Sequence, residues 1–301
     1  MRRAAAGLLG LLTFTLAAGC GGGGTTVLPP SATATPPVGH PCRGAAPPRR
    51  YTHVVVVVLE NHPFAEVAGH SPYLNRLAQA CSLATDYASV AHPSLPNYLA
   101  LTSGSTHGIT SDCTDCTVSA PSLFGQLRGD WRSYLQSIPS PGFQGGRSGE
   151  YAKKHNPAAY YVPLATANAS RSVPLSAFRH DLAHHALDRF SLVVPDLCSD
   201  EHDCPIATGD AWLQDWLPRI FTTSAYRKGT TAVFLTYDEG IGADNRVYTV
   251  VAAPSVRPHT VVGAAFDHYS LLLTVERLLG LPCLAQACAA HSMARPFRLA
   301  G

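Results

Sequence analysis

Residues Val54 to Phe64 read VVVVVLENHPF. Five valines and a leucine in succession leave no alternating polar position, so this segment cannot be a strand with one wet face. β-branched side chains are stiff and disfavour the helix. A six-residue apolar run fits a strand buried on both sides. Such strands occur in sheets covered by helices on both faces. The run stops at Glu60, Asn61 and His62, so a rigid strand delivers three polar side chains at its carboxyl end.

Other apolar, β-rich runs recur at Trp131–Leu135, Ser191–Val194, Ala232–Thr236 and Val247–Ala252, with helical patterns between them. Pro72-YLNRLAQAC places Leu74, Leu77, Ala78 and Cys81 on one face, and Pro174-LSAFRHDLAHHALDRF does the same with Leu175, Phe178, Leu182 and Phe190. GDAWLQDWLPRIF follows, and YSLLLTVERLLG ends at Gly280 with Pro282 just beyond, a helix stop. The alternation predicts an α/β fold with a mostly parallel central sheet sandwiched by helices.

The chain opens MRRAAAGLLGLLTFTLAAGC. Two arginines before a short Ala/Gly-rich apolar stretch predict an export signal over residues 1–20, too short for a membrane span. Leu16–Cys20 resembles a bacterial lipoprotein processing box, with Ala17 where a larger apolar residue is usual. It predicts a cell-surface protein held to the membrane through a lipidated Cys20; an ordinary signal cut nearby would leave a secreted one. Residues 21–48 are Gly, Pro, Thr and Ala with few large apolar side chains, a tether that buries no core. Residues 49–301 form the globular domain.

Cysteine usage agrees with export. Nine cysteines become an even eight once Cys20 is set aside. The close pairs 113/116, 198/204 and 283/288 suggest local bridges, leaving Cys42 with Cys81, although spacing does not fix connectivity. The formal net charge is +2 and the Arg/Lys pairs are scattered, so no nucleic-acid partner is expected. No obligate protein partner is evident either.

Ligands of open α/β sheets sit beyond the carboxyl ends of the strands. Three apolar runs end in acids there: Glu60-Asn61-His62, then Asp196 with the loop carrying Asp200, His202 and Asp203, then Asp238-Glu239. Singly, each is an ordinary turn former or cap. Together they form converging carboxylates that repel one another unless a cation offsets them. Oxygen donors with one or two histidines suit a divalent ion, Mg, Ca, Mn or Zn, one or two per chain. A Cys198–Cys204 bridge would hold Asp200 and His202 in a small ring.

In AHPSLPNYLALTSG, Ser94 stands at the start of an apolar helical run. Alone it reads as an N-cap with proline in the first turn. A helix N-terminus also suits phosphate, and a metal-bound serine there becomes a nucleophile. Asn97, one turn on, is expected to donate its amide to a phosphoryl oxygen.

ENHPF, HPSLPNYLALTSG, YAKKHNP, PDLCSDEHDC, GDAWLQ, TYDEG and DHYSLLLTVERLLG, in this order, resemble the bacterial phosphoesterase family of acid phosphatases and phospholipase C-like enzymes, within the alkaline phosphatase superfamily. The resemblance makes residues 49–301 a phosphoesterase catalytic domain acting on a small phosphoester. It implies Ser94 as nucleophile and Glu60, Asn61, Ser94, Asp238 and Glu239 as metal ligands. Asp196, Asp200, His202 and His268 fall where the superfamily places a second metal. His155 matches a motif near the phosphate and is expected to stabilise transferring oxygens or protonate the leaving group; His92 is expected to touch substrate. Sulfatases of this fold want an arginine soon after the modified residue, and Ser94-Leu-Pro-Asn-Tyr98 has none. The leading reading is an acid phosphatase working through a phosphoserine. The alternatives are a phospholipase C-type diesterase and a surface-tethered binding protein without chemistry.

Overall fold

A computed structural model describes residues 40–300. The export signal, Cys20 and the first part of the tether lie outside the described residues. The core is a six-stranded sheet built from β1 (His53–Leu59), β2 (Trp131–Leu135), β3 (Ser172–Pro174), β4 (Phe190–Val194), β5 (Thr231–Tyr237) and β6 (Val250–Ala252). Their spatial order is β6-β5-β1-β4-β2-β3. Every pairing is parallel except β6 against β5.

The valine run lies at the centre, with its residues from Val54 to Leu59 buried. Alternate side chains point to opposite faces, so total burial requires cover on both. Two helix groups provide it. α1 (Pro72–Ala80) and α3 (Leu175–Ala183) pack on α4 (Ile206–Phe221), while α2 (Ser94–Ser103) packs on α5 (His268–Leu279). All ten residues of α2 are buried, the pattern of a core helix with no solvent face.

The structure moves two expected boundaries and adds one strand. α3 ends at Ala183, and His185 turns through the left-handed region at φ 55. Phe190 therefore opens β4 instead of extending the helical face; its spacing from Leu182 fits two helical turns only by coincidence. The 247–252 run pairs in the sheet only from Val250, because Thr249 bridges to Ala84 instead. Ser172–Pro174 adds an unanticipated edge strand, where proline's missing N–H is harmless. Among the described residues four disulfides join Cys42–Cys81, Cys113–Cys116, Cys198–Cys204 and Cys283–Cys288.

Part of the GDAWLQ motif is structural. Ser71 makes no side-chain cap for α1. The buried Asp210 carboxylate reaches over from α4 and accepts from the Tyr73 and Leu74 N–H groups, both at 2.9 Å. One acid thus satisfies two orphan donors and complements the helix dipole. Asp210→Ala should lower stability in urea by about 2 kcal/mol, with Asp210→Asn recovering part. An unchanged midpoint would remove Asp210 from the packing of α1.

Candidate active site

β5, β1 and β4 are neighbours in the sheet and run parallel, so their carboxyl ends open on the same edge. The three acidic segments meet there. The Asp238 N–H donates to the Leu59 carbonyl at 2.9 Å, and the Glu60 N–H to the Asp200 carbonyl at 2.9 Å.

Ser94 is the first helical residue of α2, with Pro93 in the cap position. Its hydroxyl is not used for capping, because Asp112 accepts the Leu95 N–H at 2.9 Å. That leaves Ser94 Oγ free to face Glu60 Oε2 at 3.1 Å, Glu239 Oε1 at 3.3 Å and Lys154 Nζ at 3.2 Å. Glu60 is fully buried and also accepts from the Tyr98 hydroxyl at 2.9 Å.

His155 is buried between two acids, with Nε2 3.0 Å from Glu60 Oε1 and Nδ1 3.2 Å from Asp200 Oδ2. It stacks on Tyr98 at 5.3 Å. Burial works against its charge, but Glu60 and Asp200 outweigh that and raise its pKa to about 9. Burial likewise opposes ionisation of Glu60, yet His155 and Lys154 hold it at about 2. Asp238 goes the other way: burial, then Glu60 and Glu239, push it well above the usual range. Glu239 is also raised, by burial against the pull of His92. Like charges in one dry pocket cannot all ionise freely.

Two oxygens here are buried without a hydrogen-bond donor: Asn61 Oδ1 and Asp238 Oδ2. Undonated buried oxygens are expensive in a folded protein. Glu60, His155 and Asp200 also bring one ligand atom each within 4.8 Å of one another. Both observations fit a bound divalent cation. Asn61 enters the cluster through its backbone as well, its N–H donating to Asp238 Oδ1 at 3.3 Å from a left-handed conformation at φ 52.

The four residues expected around a second ion each have partners of their own. Asp200, assigned to the second set, shares His155 with Glu60 of the first. Asp196 instead closes its own loop, accepting from the Ser199 N–H at 3.0 Å and the Ser137 hydroxyl at 2.7 Å. His268 is buried with both ring nitrogens engaged, Nε2 on the Asp238 carbonyl and Nδ1 on the Tyr87 hydroxyl. It braces Asp238, with no lone pair free for a metal. His202 Nε2 lies 3.2 Å from Lys154 Nζ, and its Nδ1 is 2.6 Å from Asp203.

One further expectation changes. The Asn97 amide is buried and wholly engaged: Oδ1 accepts from the Val90 and Ala91 N–H groups, and Nδ2 donates to the Ala91 and Pro93 carbonyls. It clamps the loop that precedes Ser94 and leaves nothing for a phosphoryl oxygen. His155 faces carboxylates on both sides, with each ring nitrogen against one of them. His92 is half-exposed; it contacts Glu239 and lines the cavity with Asn61.

Lys154 carries no signal of its own in the sequence beyond sitting beside His155 in YAKKHNP. It touches Ser94, His202 and, at 3.2 Å, Asp112. Tyr98 was legible in principle, four residues after Ser94 on the same helical face. Asp112 carries no local signal, since its partners lie 17 and 42 residues away.

The Phosphoesterase family model matches residues 70–282. A phosphatidylinositol-3-phosphatase of Mycobacterium tuberculosis is 34% identical over 243 residues, covering 77% of this chain and 78% of the relative. A phosphate-repressible acid phosphatase of Penicillium chrysogenum is 30% identical, covering 78% of this chain but only 61% of the fungal protein. The fold is shared with a protein in the alkaline phosphatase superfamily from Vibrio parahaemolyticus, at TM-score 0.55 and 11% identity over 83% of this chain and 71% of that one.

Proposed function

The chain belongs to the Phosphoesterase family, a family of phosphoric ester hydrolases, and from that premise we propose that it is a metal-dependent phosphomonoesterase working through a phosphoserine on Ser94. The observation that carries the reading is the Ser94 hydroxyl, free of capping and held among Glu60, Glu239 and Lys154. Both named relatives are phosphatases, which favours monoesters over diesters.

Glu60, Asn61, Ser94, Asp238 and Glu239 are the residues that would hold the ion. When bound, it would supply Lewis-acid charge that acidifies the serine hydroxyl and offsets charge on the phosphoryl oxygens. Glu60, held at about 2, is a poor base. Glu239 Oε1, 3.3 Å from Ser94 Oγ, is the carboxylate placed to take the Ser94 proton. Ser94 Oγ then forms the bond to phosphorus as the ester oxygen departs in line. Lys154 stays beside Ser94 Oγ and balances the growing negative charge. The departing alkoxide takes its proton from water, and His202, oriented by Asp203, accepts from Lys154 and steadies that lysine beside Ser94. Water attacks the phosphoserine in the second displacement, releases phosphate and restores the hydroxyl. The four disulfides suit export into an oxidising compartment, and the anchor at Cys20 is part of the same proposal.

The test compares 4-nitrophenyl phosphate with 4-nitrophenylphosphocholine on purified protein of known metal content. The monoester should turn over at least about 100-fold faster in kcat/KM, with one or two equivalents of divalent metal bound. Preference for the diester would transfer the chain to the phospholipase C-like branch, and turnover of neither would end the enzymatic reading.

A further inference from the structure

Ile241 is 64% exposed, one of three large apolar side chains left open among the described residues. A single exposed isoleucine is unremarkable on a surface, but this one stands at the reaction site. It lines a cavity of about 650 Å³ together with Asn61, His92 and Glu239. The flanking glycines permit the tight loop that carries it. A Cβ on Gly240 would come within 2.9 Å of the Arg246 carbonyl oxygen, and Gly242 adopts φ +100, which side-chain-bearing residues avoid. The Gly240 N–H donates to Asn245 Oδ1 at 2.7 Å. On the other side the Gly242 carbonyl accepts from His92 Nε2 at 3.4 Å, and His92 contacts Glu239. Both ends of the loop tip are therefore tied to its neighbours, one of them through a site residue.

We infer that Ile241 is a specificity residue that packs on the leaving group, so that the enzyme prefers phosphate monoesters of apolar alcohols and phenols to polar ones such as phosphoserine. The inference rests on the phosphomonoesterase reading. In-line attack expels the leaving group away from Ser94 Oγ, and Glu239, 3.3 Å from that oxygen, lines the cavity it shares with Ile241. Asn61, Glu239 and His92 are the polar part of the cavity, so the apolar contact falls to the substituent on the departing oxygen. Removing that side chain from water in the bound state gives a hydrophobic gain that a polar leaving group cannot match.

The experiment uses phenyl, 4-ethylphenyl and 4-butylphenyl phosphates, whose phenols have nearly the same acidity, with phosphoserine as the polar reference. In the wild type, kcat/KM should rise about tenfold from phenyl to 4-butylphenyl. Ile241→Ser should flatten that rise and Ile241→Leu should restore it. An unchanged slope in Ile241→Ser would overturn the inference, as would equal losses on all esters, which would make the residue a loop brace only. A wild type that hydrolyses all the esters at one rate refutes the inference and leaves the phosphomonoesterase reading standing. A wild type that hydrolyses none of them refutes that reading itself.

Discussion

Ser94→Ala is expected to cut kcat by at least about 10⁴-fold and to abolish trapping of a covalent phosphoenzyme in acid-quenched reactions. The size follows from what the hydroxyl does. Without Oγ no covalent intermediate can form, and water would have to attack the ester directly from a site built around a side chain. The fold should tolerate the change, because Asp112 and not Ser94 holds the α2 N-terminus, and alanine fits the buried helix start. Circular dichroism and the thermal midpoint should stay near wild type while activity disappears. Residual turnover within tenfold of wild type would remove Ser94 from the chemistry.

Metal removal should have the next largest effect, with Asp238→Asn as its genetic counterpart. EDTA should silence the enzyme and a divalent ion should restore it. Asp238→Asn should lower kcat/KM at least about 100-fold, beyond what loss of an outer-sphere partner costs. The same substitution should stabilise the metal-free protein by about 1 kcal/mol or more near neutral pH, since it removes a carboxylate buried against Glu60 and Glu239.

The pH dependence fixes the sign. The folded state raises the Asp238 pKa above the unfolded value near 3.8, so it binds that proton more tightly than the unfolded chain does. This contribution to stability is complete below the unfolded value and is lost as pH rises through the folded one. Glu60 acts oppositely: held at about 2, it adds stability above its unfolded value near 4.5 and loses it only as pH falls through about 2. Metal-free wild type should therefore lose stability between acid and neutral pH, and Asp238→Asn should flatten that decline. A thermal midpoint of Asp238→Asn that falls in parallel with wild type over this range would refute the assignment.

Much of the architecture follows from local pattern. A run of β-branched residues has few ways to be buried, so VVVVVL fixed a central strand and forced helices onto both faces. Parallel strands aim their carboxyl ends at one edge, so acids placed just after them had to converge, and Glu60, Asp238 and Glu239 do. The Gly280 helix stop was legible for the same reason, because the left-handed cap it supplies is a property of the residue itself.

Which polar atoms remain free is a different kind of fact, because hydrogen-bond partners come from segments far apart in the chain. Asn97 was a plausible phosphate donor until the backbone of residues 90–93 took up its whole amide. Asp112 released the Ser94 hydroxyl from capping, and Lys154 arrived from a short 3-10 helix 60 residues away to meet it. Residue type and spacing set where the chain could present chemistry; only the packed loops decided which lone pairs and protons were left to carry it out.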